Sequence, residues 1–217
     1  METIKDVARR LISEKGVTGL SLREVAREMD LVSSALYRYF ANRDELLTAL
    51  ILDAYNDLGA AVERSDARNA SSSPRVRWGA AARTIRRWAA QHPHEYALIY
   101  GTPVPNYEAP APTIEAAARV AAVLSRILSD SWARRAPRDV DNGDVDYSLR
   151  FLEMARLGAY LPHVPPSRYV KVLMAWTHIF GFVSFELFGH YVGSVRNTNA
   201  LFQRVVEELA DFLELAV

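Results

Sequence analysis

Residues 21–47 read SLREVAREMDLVSSALYRYFANRDELL, and the punctuation of this stretch decides the fold. Ser21 and Glu24 have capping-box spacing: a hydroxyl accepts the N3 amide and the carboxylate reaches back to the cap. Leu22, Val25, Ala26 and Met29 then share one helical face, as a buried stripe requires. Asp30 and Leu31 break the period. A second short helix is expected from about Ser33 to Phe40, with Leu36 and Phe40 turned inward. On that helix Ser34 and Arg38 point outward, with Tyr37 and Tyr39 on the two flanks. Asn42 and Glu45 repeat the capping-box spacing and open a third helix. Two short helices across a tight turn thus show small polar groups, an arginine and two phenols to solvent. Such a surface suits a DNA groove.

Upstream, Thr3 is a candidate N-cap with Asp6 at N3. Ile4, Val7, Ala8, Leu11 and Ile12 form one apolar face, and Gly16 follows as a stop. Downstream, a helix from Asn42 to about Val62 carries Leu46, Leu47, Leu50, Ile51, Ala54, Tyr55 and Leu58, and serves as a mechanical link. Arg64 to Ser73 (RSDARNASSS) reads as a polar loop closed by Pro74 at N1. These cues divide the chain into a DNA-binding head, 1–48, and a helical body, 49–217. In the body, helices are expected over 74–91, 94–100, 112–135, 145–159, 167–191 and 198–216. Pro93, Pro137, Pro162, Pro165 and Pro166 act between them as breakers. Gly101 to Pro112 (GTPVPNYEAPAP) is proline-rich and reads as extended. No run of period-two alternation competes, so the fold is all-α, with about nine helices.

Composition sets the outer bounds. The chain has 217 residues, half of them hydrophobic, with no cysteine and a formal net charge of zero. Disulfides and Cys-ligated metals are excluded. No stretch of apolar, uncharged residues is long enough to span a membrane, and no apolar signal region opens the chain, so a cytoplasmic location is expected. Zero net charge is a mild argument against DNA binding. Locally, however, Leu31 to Arg43 holds two arginines and no acid, and positive charge is needed only where phosphates are met.

Chemistry-bearing clusters are sparse. His92-Pro93-His94-Glu95 reads as a helix boundary rather than a metal site, and Glu186 with His190 as a side-chain hydrogen bond across one helical turn. No nucleophile elbow, P-loop or dinucleotide fingerprint occurs, so no enzyme activity, catalytic residue, metal or cofactor is expected. Trp88, Tyr96, Tyr100, Phe151, Met154 and Trp176, with His178 as a polar tip, are candidates to line an apolar effector pocket; ordinary core is the competing role of each. Tyr169 to Tyr191 is apolar on nearly every side, and the closing helix adds Leu201, Phe202, Val205, Val206, Leu209, Phe212 and Leu213. The two helices serve either as internal core or as half of an isologous four-helix interface. The interface reading is carried forward, with Phe180, Phe188, Leu201, Phe202, Val205, Val206 and Leu209 at its centre.

The run Leu36-Tyr37-x-Tyr39-Phe40-x-Asn42-x-x-x-Leu46-Leu47 resembles the helix-turn-helix of the TetR family of transcriptional regulators, over about residues 3–55. Trp176-Thr177-His178-Ile179-Phe180-Gly181 is similar to a TetR C-terminal domain type marked by Trp and, four residues on, His-Gly, with Phe180 in place of that His. The segment Tyr96 to Pro105 resembles the same type. The chain departs from the family pattern at Asp30 (often Gly), at Val32 (often a capping Ser, leaving Ser33 to take the cap), and at Ser33, Ser34 and Ala35 (frequently Lys, Gly and Thr). The resemblance implies a homodimeric, ligand-responsive repressor on a palindromic double-stranded operator, with no membrane partner, and the aromatic and Met content of the central helices points to a small, mostly apolar effector. Arg23, Ser33, Ser34, Ala35, Tyr37 and Arg38 are then expected at the major groove, and Tyr37, Tyr39 and Arg43 on phosphates. The competing reading is a helical small-molecule-binding protein or enzyme with a vestigial DNA-binding head.

Overall fold

The computed structural model describes residues 1–133, 158, 161 and 164–216. Among them are nine α-helices and no strand: α1 Glu2–Lys15, α2 Leu22–Glu28, α3 Ser33–Leu36, α4 Arg43–Arg68, α5 Pro74–Gln91, α6 Pro93–Tyr100, α7 Pro112–Trp132, α8 Tyr169–Leu187 and α9 Thr198–Phe212. The all-α reading holds. The helix expected over 145–159, with Phe151 and Met154, lies outside the described residues.

Several boundaries move for identifiable reasons. Helix α1 starts one residue before Thr3: Met1 is its N-cap, and the Met1 carbonyl takes the amides of Ile4 and Lys5 at 3.1 and 3.3 Å. Gly16 stops it at φ 72°, where its N–H still reaches the Ile12 carbonyl. Helix α4 runs through the expected loop to Arg68, because Ser65 and Asp66 are buried and Asp66 is neutralised there. Pro74 opens α5 as anticipated, and Pro93, expected as a breaker ahead of a helix from 94, is itself the first residue of α6. Helix α8 ends at Leu187, ahead of two left-handed glycines, Gly189 and Gly193. Asn197 caps α9, accepting the Ala200 amide at 2.9 Å.

The chain forms two compact units that cut across the division at residue 48: Met1–Asp57 with Ala89–Ala117, and Leu58–Trp88 with the described part of Ala118–Val217. In the first unit, the stripes of α1, α2, α3 and early α4 (Leu11, Leu20, Val25, Leu36, Leu46 and Leu47 among them) make one core. Leu98, Ile99, Val104 and Tyr107 pack against that core, so α6 and the proline-rich segment after it belong with the head. Asp53 accepts from Lys5 and Arg9, each at 2.7 Å, and fastens α1 to α4. The Tyr107 hydroxyl lies 2.9 Å from Thr48, and Tyr55 donates to the Ile99 carbonyl at 3.2 Å.

In the second unit, Trp78 is buried and donates its indole N–H to the Val206 carbonyl at 3.2 Å. Arg77 grips Asp66 through two nitrogens at 2.7 and 3.0 Å and reaches Asp130 at 2.5 Å, while Arg126 adds a 3.0 Å bond to Asp66. Burial raises the Asp66 pKa, but those hydrogen bonds outweigh it and hold the carboxyl below its usual range. Arg86 pairs with both Glu186 oxygens at 2.6 and 2.5 Å, so Glu186 serves α5 rather than His190; the His190 ring instead lies against Phe185 at 4.9 Å. Helix α8 is long and apolar enough to cross a membrane by length and composition, yet Val172, Ile179 and Val183 are packed inside this unit.

Candidate nucleic-acid interface

Helix α3 is positioned by the turn before it. Ser21 caps α2, its Oγ accepting the Glu24 amide at 3.1 Å. The return half of the expected box is absent: the Glu24 carboxylate pairs with Lys15 and Arg27, both cationic and within reach. At the other end of α2 the Leu31 amide bonds to the Ala26 carbonyl (2.9 Å) and the Asp30 amide to that of Arg27 (3.2 Å). These are the two bonds of a Schellman stop, with Asp30 in the left-handed position at φ 54°. Aspartate tolerates that conformation better than most residues, so the turn survives without glycine.

Helix α3 is a single turn, Ser33–Leu36, shorter than the stretch to Phe40 expected from its pattern. Tyr37 to Tyr39 form a turn in which the amides of Tyr39 and Phe40 both reach the Leu36 carbonyl, at 2.9 and 3.0 Å. Val32, not Ser33, occupies the N-cap position, and no side chain caps the helix. Leu36 and Phe40 are buried as expected. Ser34, Tyr37, Arg38 and Tyr39 are exposed, and Ser33 and Ala35 are half-buried. Arg23 is exposed on the first turn of α2. Neither Arg23 nor Arg38 has a hydrogen bond or ion pair with a described residue, so both guanidinium groups are available to a polyanion. Leu31 and Val32 are also exposed, which helical periodicity does not reveal because both lie between helices.

Arg43 behaves differently. Its Nε donates to the Leu20 carbonyl and a terminal nitrogen to the Val17 carbonyl, both at 3.0 Å. It clasps the 3-10 turn Val17–Gly19 to the start of α4. Asn42 caps α4, accepting the Glu45 amide at 2.9 Å, while Glu45 reaches past the cap to the Ala41 amide at 2.8 Å.

The described residues expected around an effector are divided between the two units. Tyr96 and Tyr100 belong to the first unit, where Tyr100 meets Tyr96 at 5.2 Å and Tyr55 edge-on at 6.0 Å. Burial, with the phenols of Tyr55 and Tyr96 nearby, pushes the Tyr100 hydroxyl far above its usual range. Trp88, Trp176 and His178 belong to the second unit. Trp88 is buried, Trp176 stacks on Phe180 at 4.5 Å, and His178 is exposed with Nδ1 2.6 Å from the Met174 carbonyl. His178 shares an open groove with Thr177, Gly181, Phe185, Tyr191 and Val205.

The expected dimer residues separate into two sets. Phe180, Phe202, Val206 and Leu209 are buried within one chain, Phe202 against Phe182 at 5.0 Å and beneath the Arg86 guanidinium at 4.9 Å. They form the inner stripe of α8 and α9 and already pack within their own chain. Phe188 is exposed, and Leu201 and Val205 are partly so. Phe185, one turn before Phe188, is exposed as well.

Comparison with known proteins gives the geometry its lineage. Residues 4–50 match the bacterial regulatory proteins of the tetR family, and residues 78–209 match the tetracyclin repressor-like C-terminal domain. HTH-type transcriptional regulators of Mycobacterium tuberculosis and Mycobacterium bovis are 36% identical over 190 residues, covering 87% of this chain and 80% of theirs. The crystal structure of a regulatory protein at 30% identity aligns over 96% of this chain and 93% of its own, with a TM-score of 0.77. A tetR-family regulatory protein from Rhodococcus RHA1 shares the fold at 15% identity, with a TM-score of 0.63 over 100% of this chain and 97% of its own. The chain is a member of the TetR family of DNA-binding transcriptional regulators.

Proposed function

We propose that the protein is a homodimeric repressor that occupies a pseudo-palindromic operator and is released from it by a small, mostly apolar effector in the cytoplasm. The observation that carries the reading is a pair of exposed surfaces within one chain. The first is the face of α2 and α3 with Arg23, Ser34, Tyr37, Arg38 and Tyr39, which meets the major groove and its flanking phosphates. The second is a stripe along α8 and its C-cap, Met174, Thr177, Gly181, Phe185 and Phe188, spaced on average every 3.5 residues and, Gly181 being half-buried, otherwise left exposed by the described residues. A Cβ at Gly181 would meet nothing within 4 Å, so a second helix can approach closely there. Two copies joined about a two-fold axis carry two reading helices, which suits half-sites roughly 34–36 Å apart.

The match of residues 78–209 to a tetracyclin repressor-like domain supports reading that part of the chain as the sensor. An effector acts only through unequal affinity for DNA-competent and DNA-incompetent states, and a coupling of about 1–3 kcal/mol suffices. A gel shift on the DNA upstream of the protein's own coding region tests the operator. Arg38→Ala is expected to weaken binding by about 1–3 kcal/mol if Arg38 reads a guanine. Equal weakening on every duplex would reassign it to a phosphate, and unchanged binding would remove it from the interface.

A further inference from the structure

Building on the operator reading, we infer that Val32 reads the 5-methyl group of a thymine in the major groove. The side chain is 72% exposed, the second most exposed large hydrophobic in the first unit's reading segment or elsewhere among those described, and only Val192 exceeds it. It stands at the N-cap of α3 in extended backbone and offers that helix no hydrogen bond. A Ser, Thr, Asp or Asn at this position would satisfy an amide of the first turn, and a polar residue would be better hydrated. Both local terms therefore oppose valine. Nothing in the first unit's core compensates, because Val32 lies outside the buried cluster that holds Leu36 and Phe40.

What remains is a contact made in the complex. The N-terminal residues of a recognition helix meet base edges. In the major groove those edges present hydrogen-bonding groups and one apolar group, the thymine 5-methyl. A branched aliphatic side chain without polar atoms matches only that group. Its surroundings fit a DNA partner: exposed Ser34 and Arg38 follow it, and Leu31 to Arg43 contains two arginines and no carboxylate. Leu31, exposed next to it, widens the same apolar surface.

The test begins with selection of the preferred duplex from a random library by the full-length protein. Each thymine of that duplex is then replaced singly by deoxyuridine, which deletes the methyl group and keeps base pairing. At one symmetric pair of positions the parent is expected to bind about fourfold more weakly per methyl lost, the value of one buried methyl-sized group. Val32→Ser, which restores a side-chain cap, is expected to melt no lower than the parent, to bind the thymine duplex more weakly, and to be indifferent to deoxyuridine at that pair. Uniform tolerance of deoxyuridine by the parent overturns the inference, as does an undiminished deoxyuridine penalty in Val32→Ser. In either case a selected duplex that still depends on Arg38 leaves the operator reading standing. A library that enriches no duplex at all defeats the operator reading itself.

Discussion

Replacing Phe185 by aspartate is the sharpest way to separate an interface from a core. Phe185 is 51% exposed, with its ring tilted against His190 at 4.9 Å and Tyr191 at 5.8 Å. Complete burial of a phenylalanine is worth about 1.5–3 kcal/mol, so covering the exposed half contributes about 1 kcal/mol per copy and about 2 kcal/mol per dimer. An aspartate there must also be desolvated among Thr177, Gly181, Phe182 and Val205, which costs several kcal/mol more. The dimer is expected to weaken by roughly 4 kcal/mol or more, about three decades in Kd. The folded chain itself is expected to lose no more than about 1 kcal/mol, since half of the side chain already meets water. Phe202→Ala is the contrasting control. That ring is fully buried, and its truncation is expected to cost about 3–5 kcal/mol of folding stability. Sedimentation velocity across a concentration series, paired with thermal melts, distinguishes the two. If Phe185→Asp sediments like the parent at every concentration, or melts as low as Phe202→Ala, the exposed stripe of α8 is not where copies meet.

Arg43→Ala removes two charge-assisted bonds to backbone carbonyls near the surface and is expected to lower stability by about 1–2 kcal/mol in a denaturant titration. A variant that unfolds like the parent but loses operator affinity would return Arg43 to the phosphates. The acid limb of stability should report Glu214, whose carboxyl is drawn down to about 2 chiefly by the hydrogen bond from Lys171, against the opposing effect of burial, and further by Arg168. Its folded pKa lies below the unfolded value, so its contribution is fully present above about 4.5 and is lost as pH falls toward about 2. After screening by water this amounts to about 1 kcal/mol. Glu214→Gln is expected to flatten that part of a melting-temperature profile, and an unaltered profile would assign the acid sensitivity to other carboxylates such as Asp66.

The helical architecture and most helix ends are legible in the sequence because their causes are local. A proline at N1, a glycine free to take positive φ, a serine or asparagine three residues from the amide it caps, and an apolar residue every turn all act within a few residues of backbone. Hence Ser21, Asn42, Gly16 and Pro74 read correctly, and the family resemblance followed from the helix-turn-helix segment. Tertiary structure decided wherever a side chain had partners distant in sequence. The Arg64–Arg68 segment is polar by composition yet helical, because Arg77 and Arg126 neutralise Asp66 from α5 and α7. Arg43 turns toward carbonyls more than twenty residues away. Phe185 and Phe202 are both aromatic on apolar helices, and no periodicity distinguishes the ring that meets its own chain from the one left in water. Tyr96 and Trp176 have pocket-like character in isolation but fall in different units. Val32 looks like an ordinary interruption until its exposure is known. Caps and stripes are set by the backbone's own geometry, whereas burial and pairing are set by whichever surfaces the packed chain brings together.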